Sequence, residues 1–215
     1  MPALAAKYKI YLYNKDYIVS VIAGVVLLLA SLVINFYAGL YATESASNSV
    51  TDIILSNIRV YDVDGIFVYG SIVFWWFVAL WCISEPQKIP FTLKSIALFV
   101  VVRSVFISLT HIGPFPSQIN IDPASIINMF SFGGDLFFSA HTGLPFLMAL
   151  AFWDNFRLRV FFICSAVLFG IVVLLAHLHY SIDVLSAFFI TYAIFRMAEI
   201  FFKRDRLLFQ NGLAK

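Results

Sequence analysis

Charge is scarce in this sequence: Asp, Glu, Lys and Arg make up 12% of its 215 residues, against about a quarter in an ordinary soluble domain. A chain this poor in charge cannot cover a soluble surface, and a disordered chain would be richer in it. The net charge of +2 gives no basis for binding nucleic acid. Cysteine is scarce too. Cys82 and Cys164 both lie in apolar runs, which excludes a disulfide framework, and no Cys/His spacing suggests a metal site. Internal repeats, low-complexity tracts and long linkers are absent, so residues 1–215 read as one domain. What fills the chain instead is apolar: 62% of residues are hydrophobic and the mean hydropathy is +0.93. The 24 Phe, 10 Tyr and 4 Trp suit lipid contact and interfacial belts. The composition is that of an integral membrane protein with several spans. The basic N-terminal stretch reaches Asp16, and the apolar run after it is too long for a cleaved signal.

Six continuous apolar runs predict six transmembrane helices. They are Tyr17–Tyr41, Ile66–Ser84, Leu93–Thr110, Leu136–Trp153, Val160–Ala176 and Ser181–Phe202. Each approaches the ~20 residues a helix needs to cross the hydrocarbon, and none alternates as a barrel strand does. Lys and Arg then set the orientation. Lys7, Lys9, Lys15, Lys88, Lys94, Arg157, Arg159, Lys203, Arg204, Arg206 and Lys215 fall on one side, and only Arg59 on the other. The positive-inside rule puts both termini in the cytoplasm and the loops Ala42–Gly65, His111–Asp135 and His177–Tyr180 outside. The fold class expected is an all-α, six-helix membrane bundle whose site faces the exoplasmic or periplasmic side.

All four histidines, His111, His141, His177 and His179, fall at the outer ends of these spans. They were not used to orient the chain, so their clustering is independent information. In His179-Tyr-Ser-Ile-Asp183 the imidazole and carboxylate are one helical turn apart on one face. A carboxylate on Nδ1–H leaves the Nε2 lone pair for a nucleophile or base. An isolated H-x-x-x-D is also compatible with a purely structural pair. A second segment, Gly133-Gly-Asp-Leu-Phe-Phe-Ser-Ala-His-Thr142, predicts a glycine turn followed by a helix start carrying Ser139, His141 and Thr142. Free N–H groups at a helix start attract phosphate, and a histidine there can protonate a leaving oxygen. The third is Arg103 in Arg103-Ser-Val-Phe-Ile-Ser-Leu-Thr-His-Ile-Gly-Pro114. An intramembrane Arg usually faces a cavity and an anion, although eight residues before His111 is about 12 Å along a helix. Asp183 and Glu199 are its alternative partners. Arg196, nearer the cytoplasmic end, is expected to snorkel.

Together these segments resemble the sphingomyelin synthase-like branch of the type 2 phosphatidic acid phosphatase superfamily. The resemblance runs from Arg103 to Arg196 and includes Ala176-His-x-His-Tyr-Ser-Ile-Asp-Val184 and the following Ala-Phe-Phe-Ile-Thr191. It implies that His179 is the nucleophile on phosphorus, that Asp183 orients it, and that His141 protonates the departing alcohol. Arg103, Ser139, Thr142, His177 and Asp135 are the expected phosphate- or substrate-binding residues. No metal and no cofactor is implied. The branch usually carries Ser-Gly-His-Thr where this chain has Ala140. The cationic motif residues of the phosphatase branch are missing, since Val172 and Val173 stand five residues or so before His179 instead of Ser-Arg.

The expected activity is a phosphotransferase or phospholipase C-like reaction. A phospholipid donates its headgroup through a phosphohistidine to a lipid alcohol, ceramide or diacylglycerol, or to water. One alternative is a lipid phosphate phosphatase. Another, from a different class, is a non-catalytic transporter or scaffold of the same fold. Asp62, Asp64 and Asn128 are candidates for setting headgroup choice. A bacterial inner membrane is favoured over a eukaryotic endomembrane, and a homo-oligomer is compatible with everything above.

Overall fold

The computed structural model describes residues 2–117 and 134–213. Gly133, Asp122 and Asn128 therefore lie outside the described residues. The described residues are all-helical, with no strand among them. The helices are α1 (Pro2–Leu12), α2 (Lys15–Glu44), α3 (Asp64–Ser84), α4 (Ile89–Leu109), α5 (Ala140–Ala151), α6 (Phe156–Leu175), α7 (Ser181–Phe201) and α8 (Lys203–Asn211). A single 3-10 turn, Pro86–Lys88, joins α3 to α4.

Five of these, α2, α3, α4 with its preceding turn, α6 and α7, are long and apolar enough to cross a membrane. They coincide with five of the six expected runs to within a few residues. Their outer faces carry large apolar residues such as Val26, Leu29, Val73, Trp76, Leu168, Ile171 and Phe189, all exposed. A surface of this kind is stable against lipid and not against water. The chain is therefore a multi-pass membrane protein.

The remaining run departs from expectation. Leu136–Trp153 is helical only from Ala140 to Ala151, about 18 Å of helix. Its first residues are non-helical, and they enter the bundle as irregular chain with bends at Phe137 and Phe138. Such backbone is tolerated deep in a membrane protein only where other groups satisfy it. Arg103 and His179 do so here, as described below. Gly134 admits the segment, because a Cβ there would sit 2.7 Å from the Ala42 carbonyl oxygen.

The buried core centres on α5, which packs against α6 and α7, with α4 behind it. Phe91, Phe99, Phe138, Phe162, Leu147 and Met148 are fully buried there. Gly143 is required at the α5 crossing, since a Cβ would press to 2.7 Å on the Phe99 ring. α2 lies against α4 through Gly24, Ser31 and Ala38, small residues seven apart on its buried face. Small side chains let membrane helices approach closely.

At the end of the bundle that holds both termini, α8 is fastened by charge. Lys94 Nζ meets Asp205 at 2.6 Å, and Arg206 bridges Glu199 at 3.2 Å and the Ala151 carbonyl at 2.8 Å. The sequence analysis did not foresee α1 or α8, whose polar residues hide them from an apolar-run reading. At the opposite end lie the loops 45–63, 110–117 and 176–180.

Candidate active site

The site is built where the non-helical segment before α5 meets α4 and the start of α7. His179 precedes α7 and is only 8% exposed. Its Nδ1 hydrogen-bonds the Leu136 carbonyl oxygen at 2.9 Å. A carbonyl only accepts, so Nδ1 carries the proton and Nε2 keeps its lone pair. No described residue hydrogen-bonds Nε2. The Asp183 carboxylate also faces Nδ1, at 3.5 Å. Asp183 is fully buried. Its Oδ2 accepts the Tyr180 N–H at 2.9 Å and so caps α7, while Oδ1 has no hydrogen-bond partner. The i,i+4 pairing expected from sequence is thus present as a 3.5 Å contact. The hydrogen bond that fixes the tautomer comes from main chain 43 residues away.

Arg103 meets neither of its alternative partners. Glu199 is engaged by Arg196 and Arg206. Arg103 is 5% exposed, and its guanidinium holds the non-helical segment at two residues. Nε donates to the Phe138 carbonyl at 2.9 Å. Nη2 donates to the Asp135 carbonyl at 2.5 Å and pairs with the Asp135 carboxylate at 3.0 Å. The depth of Arg103 within α4 is met by the chain descending to it. The same short segment thus offers carbonyls to Arg103 from Asp135 and Phe138, and to His179 from Leu136 between them.

His141 sits in the first turn of α5, with its ring 4.2 Å from that of Phe67 on α3. It lies close enough to feel the charges of His179 and Arg103, and Asp135 feels both as well. Four residues singled out from sequence, Arg103, Asp135, His141 and His179, therefore form one cluster. Ser139 and Thr142 flank it, fully buried. The Thr142 hydroxyl donates to Ser139 Oγ at 3.4 Å, and Ser139 N–H bonds the Asp183 carbonyl at 3.2 Å. Ser139 makes no side-chain cap, and among the described residues no group accepts from the first α5 amides, the kind of helix start that suits an anion. The Ala140 methyl lines a cavity of about 90 Å³ with His141, Ser71, Phe74, Trp75 and Phe169, so its extra carbon is accommodated.

His177 stands apart. It ends α6 with φ at 55°, a left-handed conformation costly for a non-glycine residue. Its Nδ1 bonds the Ser117 hydroxyl at 3.0 Å, its ring meets Phe115, and its charged neighbour is Asp52. It belongs to the loop cap and not to the cluster around His179. Burial holds its imidazole below the usual range, with Asp52 pulling the other way. The unfolded chain therefore binds the proton first, and stability drains away as pH falls below about 6.5. Asp52 is held below the usual carboxylate range, so its own loss begins at more acid pH. Thermal unfolding in detergent is expected to show a smaller drop in Tm from pH 7.5 to 5.5 in His177→Gln than in the wild type.

Sequence reasoning missed the Leu136 and Phe138 carbonyls, Phe67 and Asp52. Backbone acceptors carry no residue signature, and Asp52 is far away along the chain. Asp64 begins α3 and Asp62 accepts its N–H at 3.4 Å. Neither contacts the cluster. Residues 133–200 match the family model described as PAP2 superfamily C-terminal. The match spans less than a third of the chain and contains His141, His179 and Asp183, but not Arg103. No curated protein and no solved structure matches the chain.

Proposed function

We propose, from the likeness of this stretch to the type 2 phosphatidic acid phosphatase superfamily, that the chain is a lipid phosphotransferase or phospholipase C-like enzyme of the sphingomyelin synthase kind. The observation that carries the reading is the His179 ring, anchored through Nδ1 on the Leu136 carbonyl, with no described residue hydrogen-bonding Nε2. Nε2 attacks phosphorus, the bond from phosphorus to the lipid alcohol breaks, and His141 gives that alcohol its proton. Asp183, buried 3.5 Å from Nδ1, favours the positive charge that develops on the ring. A ceramide, diacylglycerol or water then loses its proton to His141 and takes the phosphoryl group from Nε2. The site opens to the outer leaflet in this reading, with both termini in the cytoplasm.

Charge supports a phosphodiester donor over a phosphomonoester. The only side-chain cation in the cluster is Arg103, and Asp135 already neutralises it. Asp183 adds another carboxylate, and residues 118–133 contain no Lys or Arg. A monoester dianion would meet little compensating charge, whereas a diester carries one negative charge fewer. Hydrolysis of phosphatidic acid is the second reading, favoured by the family description of the matched stretch.

Lipid mass spectrometry after incubation with mixed phospholipids, phosphatidic acid and ceramide separates them. A free phosphoalcohol or a new headgroup-bearing lipid is expected. Release of inorganic phosphate from phosphatidic acid alone would establish the phosphatase. Absence of all turnover, with proton-coupled flux in proteoliposomes, would establish the non-catalytic alternative.

A further inference from the structure

Asp52 lies in the loop between α2 and α3, yet its carboxylate is committed to the start of α7. Oδ2 accepts both the N–H and the hydroxyl of Ser181, each at 2.7 Å. Oδ1 accepts the N–H groups of Ile54 and Leu55 at 2.8 and 3.0 Å. Burial alone would raise this carboxyl, but these four donors outweigh it and keep it charged. The mount is itself braced. Ser47 N–H bonds the His111 carbonyl at 2.8 Å, and Tyr61 N–H bonds the Leu175 carbonyl at 2.9 Å. The Tyr180 hydroxyl accepts from Val50 N–H at 3.2 Å and donates to the Gly113 carbonyl at 2.8 Å.

We propose that Asp52 is a positioning residue for His179. The inference rests on the functional reading above. His179 immediately precedes the two residues that open α7, and both of their N–H groups sit on carboxylates: Tyr180 on Asp183 and Ser181 on Asp52. Asp183 does not serve both: its Oδ2 accepts the Tyr180 N–H, its Oδ1 has no hydrogen-bond partner among the described residues, and the Ser181 N–H goes to Asp52. Asp52 supplies the second capping carboxylate from outside the helix, and so fixes the backbone from which the nucleophilic ring projects. It also occupies the positive end of α7 with protein charge. An incoming phosphate is left with the uncapped start of α5, beside His141, as the available helix terminus.

Asn at position 52 keeps the size but turns an NH₂ toward one of the two donor pairs, so one pair loses its acceptor. A misplacement on the ångström scale is enough to cost about 100-fold in rate. In Asp52→Asn, kcat is expected to fall about 10- to 100-fold with KM changed less than about threefold. Ser181→Ala keeps the main-chain bond but loses the hydroxyl bond to Asp52, so its fall should be smaller, about two- to fivefold. The decisive readout is acid-labile phosphoenzyme on His179, measured as amount and as rate with the phospholipid that the wild type turns over. Full stoichiometry formed slowly is the expected result. Reduced stoichiometry at an unchanged rate per labelled site would mean that Asp52 only supports folding, and would overturn the proposal. Wild-type kinetics in Asp52→Asn would overturn it too. If Asp52→Asn does not fold, Ser181→Ala decides alone: slower labelling at full stoichiometry upholds the proposal, and unchanged labelling removes it. A wild-type protein that neither labels nor turns over lipid defeats the functional reading, and this inference with it.

Discussion

His179→Ala is expected to abolish turnover of every phospholipid, a loss of about 10⁴-fold or more, while the protein stays folded. Removing the ring removes the atom that receives phosphorus, and no neighbouring group can replace it. The ring's polar contacts are a hydrogen bond to the Leu136 carbonyl at 2.9 Å and a 3.5 Å approach to Asp183. Stranding these partners costs about 1–3 kcal/mol each, more for the charged one. Asp183 keeps its bond from the Tyr180 N–H, so the fold is expected to survive with a lowered Tm. His141→Ala should behave differently. Loss of a general acid costs about 10²- to 10⁴-fold when the leaving alcohol is poor. A phosphodiester with a good leaving group, such as a nitrophenol, needs no protonation. It should recover most of the first-step rate in His141→Ala and none in His179→Ala. Phosphoenzyme should then accumulate in His141→Ala, because the second step has lost its base. Equal losses for both variants on both substrates would disprove this division of roles.

The parts of the architecture that were legible in sequence are those where physics acts locally. A helix in lipid must satisfy its own backbone and be apolar throughout, so the runs at α2, α3, α4, α6 and α7 announce themselves. The His179–Asp183 pair was legible because four residues of spacing keep the two groups close, even though His179 lies just before α7 and not on it. The segment 135–139 was not. Leu136, Phe137 and Phe138 look like helix, but their neighbourhood is decided by acceptors that Arg103 and His179 demand from distant parts of the chain. Local apolarity could not reveal that competition. Nor could it reveal where Arg103 points, since its partner Asp135 lies 32 residues on. Asp52 is the extreme case, 129 residues from the Ser181 hydroxyl it accepts.

That geometry assigns Arg103 a different task from the one its sequence suggests, and the difference is measurable. Arg103→Ala should lower kcat by about 10²- to 10³-fold with little change in KM. Three acceptors lose their donor at once: the Phe138 carbonyl, the Asp135 carbonyl and the Asp135 carboxylate. Each buried group left unsatisfied costs about 1–3 kcal/mol, and a charged one costs more. The non-helical segment should therefore shift, and with it the Leu136 carbonyl that holds Nδ1 of His179. Arg103→Lys should rescue poorly, because a single ammonium cannot reproduce two nitrogens spaced to meet Phe138 and Asp135 together. Asp135→Asn in the Arg103→Ala background should recover part of the loss by removing the stranded carboxylate, giving a non-additive double-mutant cycle. A direct phosphate ligand would behave otherwise. Its removal would weaken substrate binding, Lys would serve nearly as well, and Asp135→Asn would be additive. The steady-state constants of these five proteins, the wild type and the single Asp135→Asn variant included, thus distinguish a guanidinium that grips substrate from one that grips the chain on which the nucleophile leans.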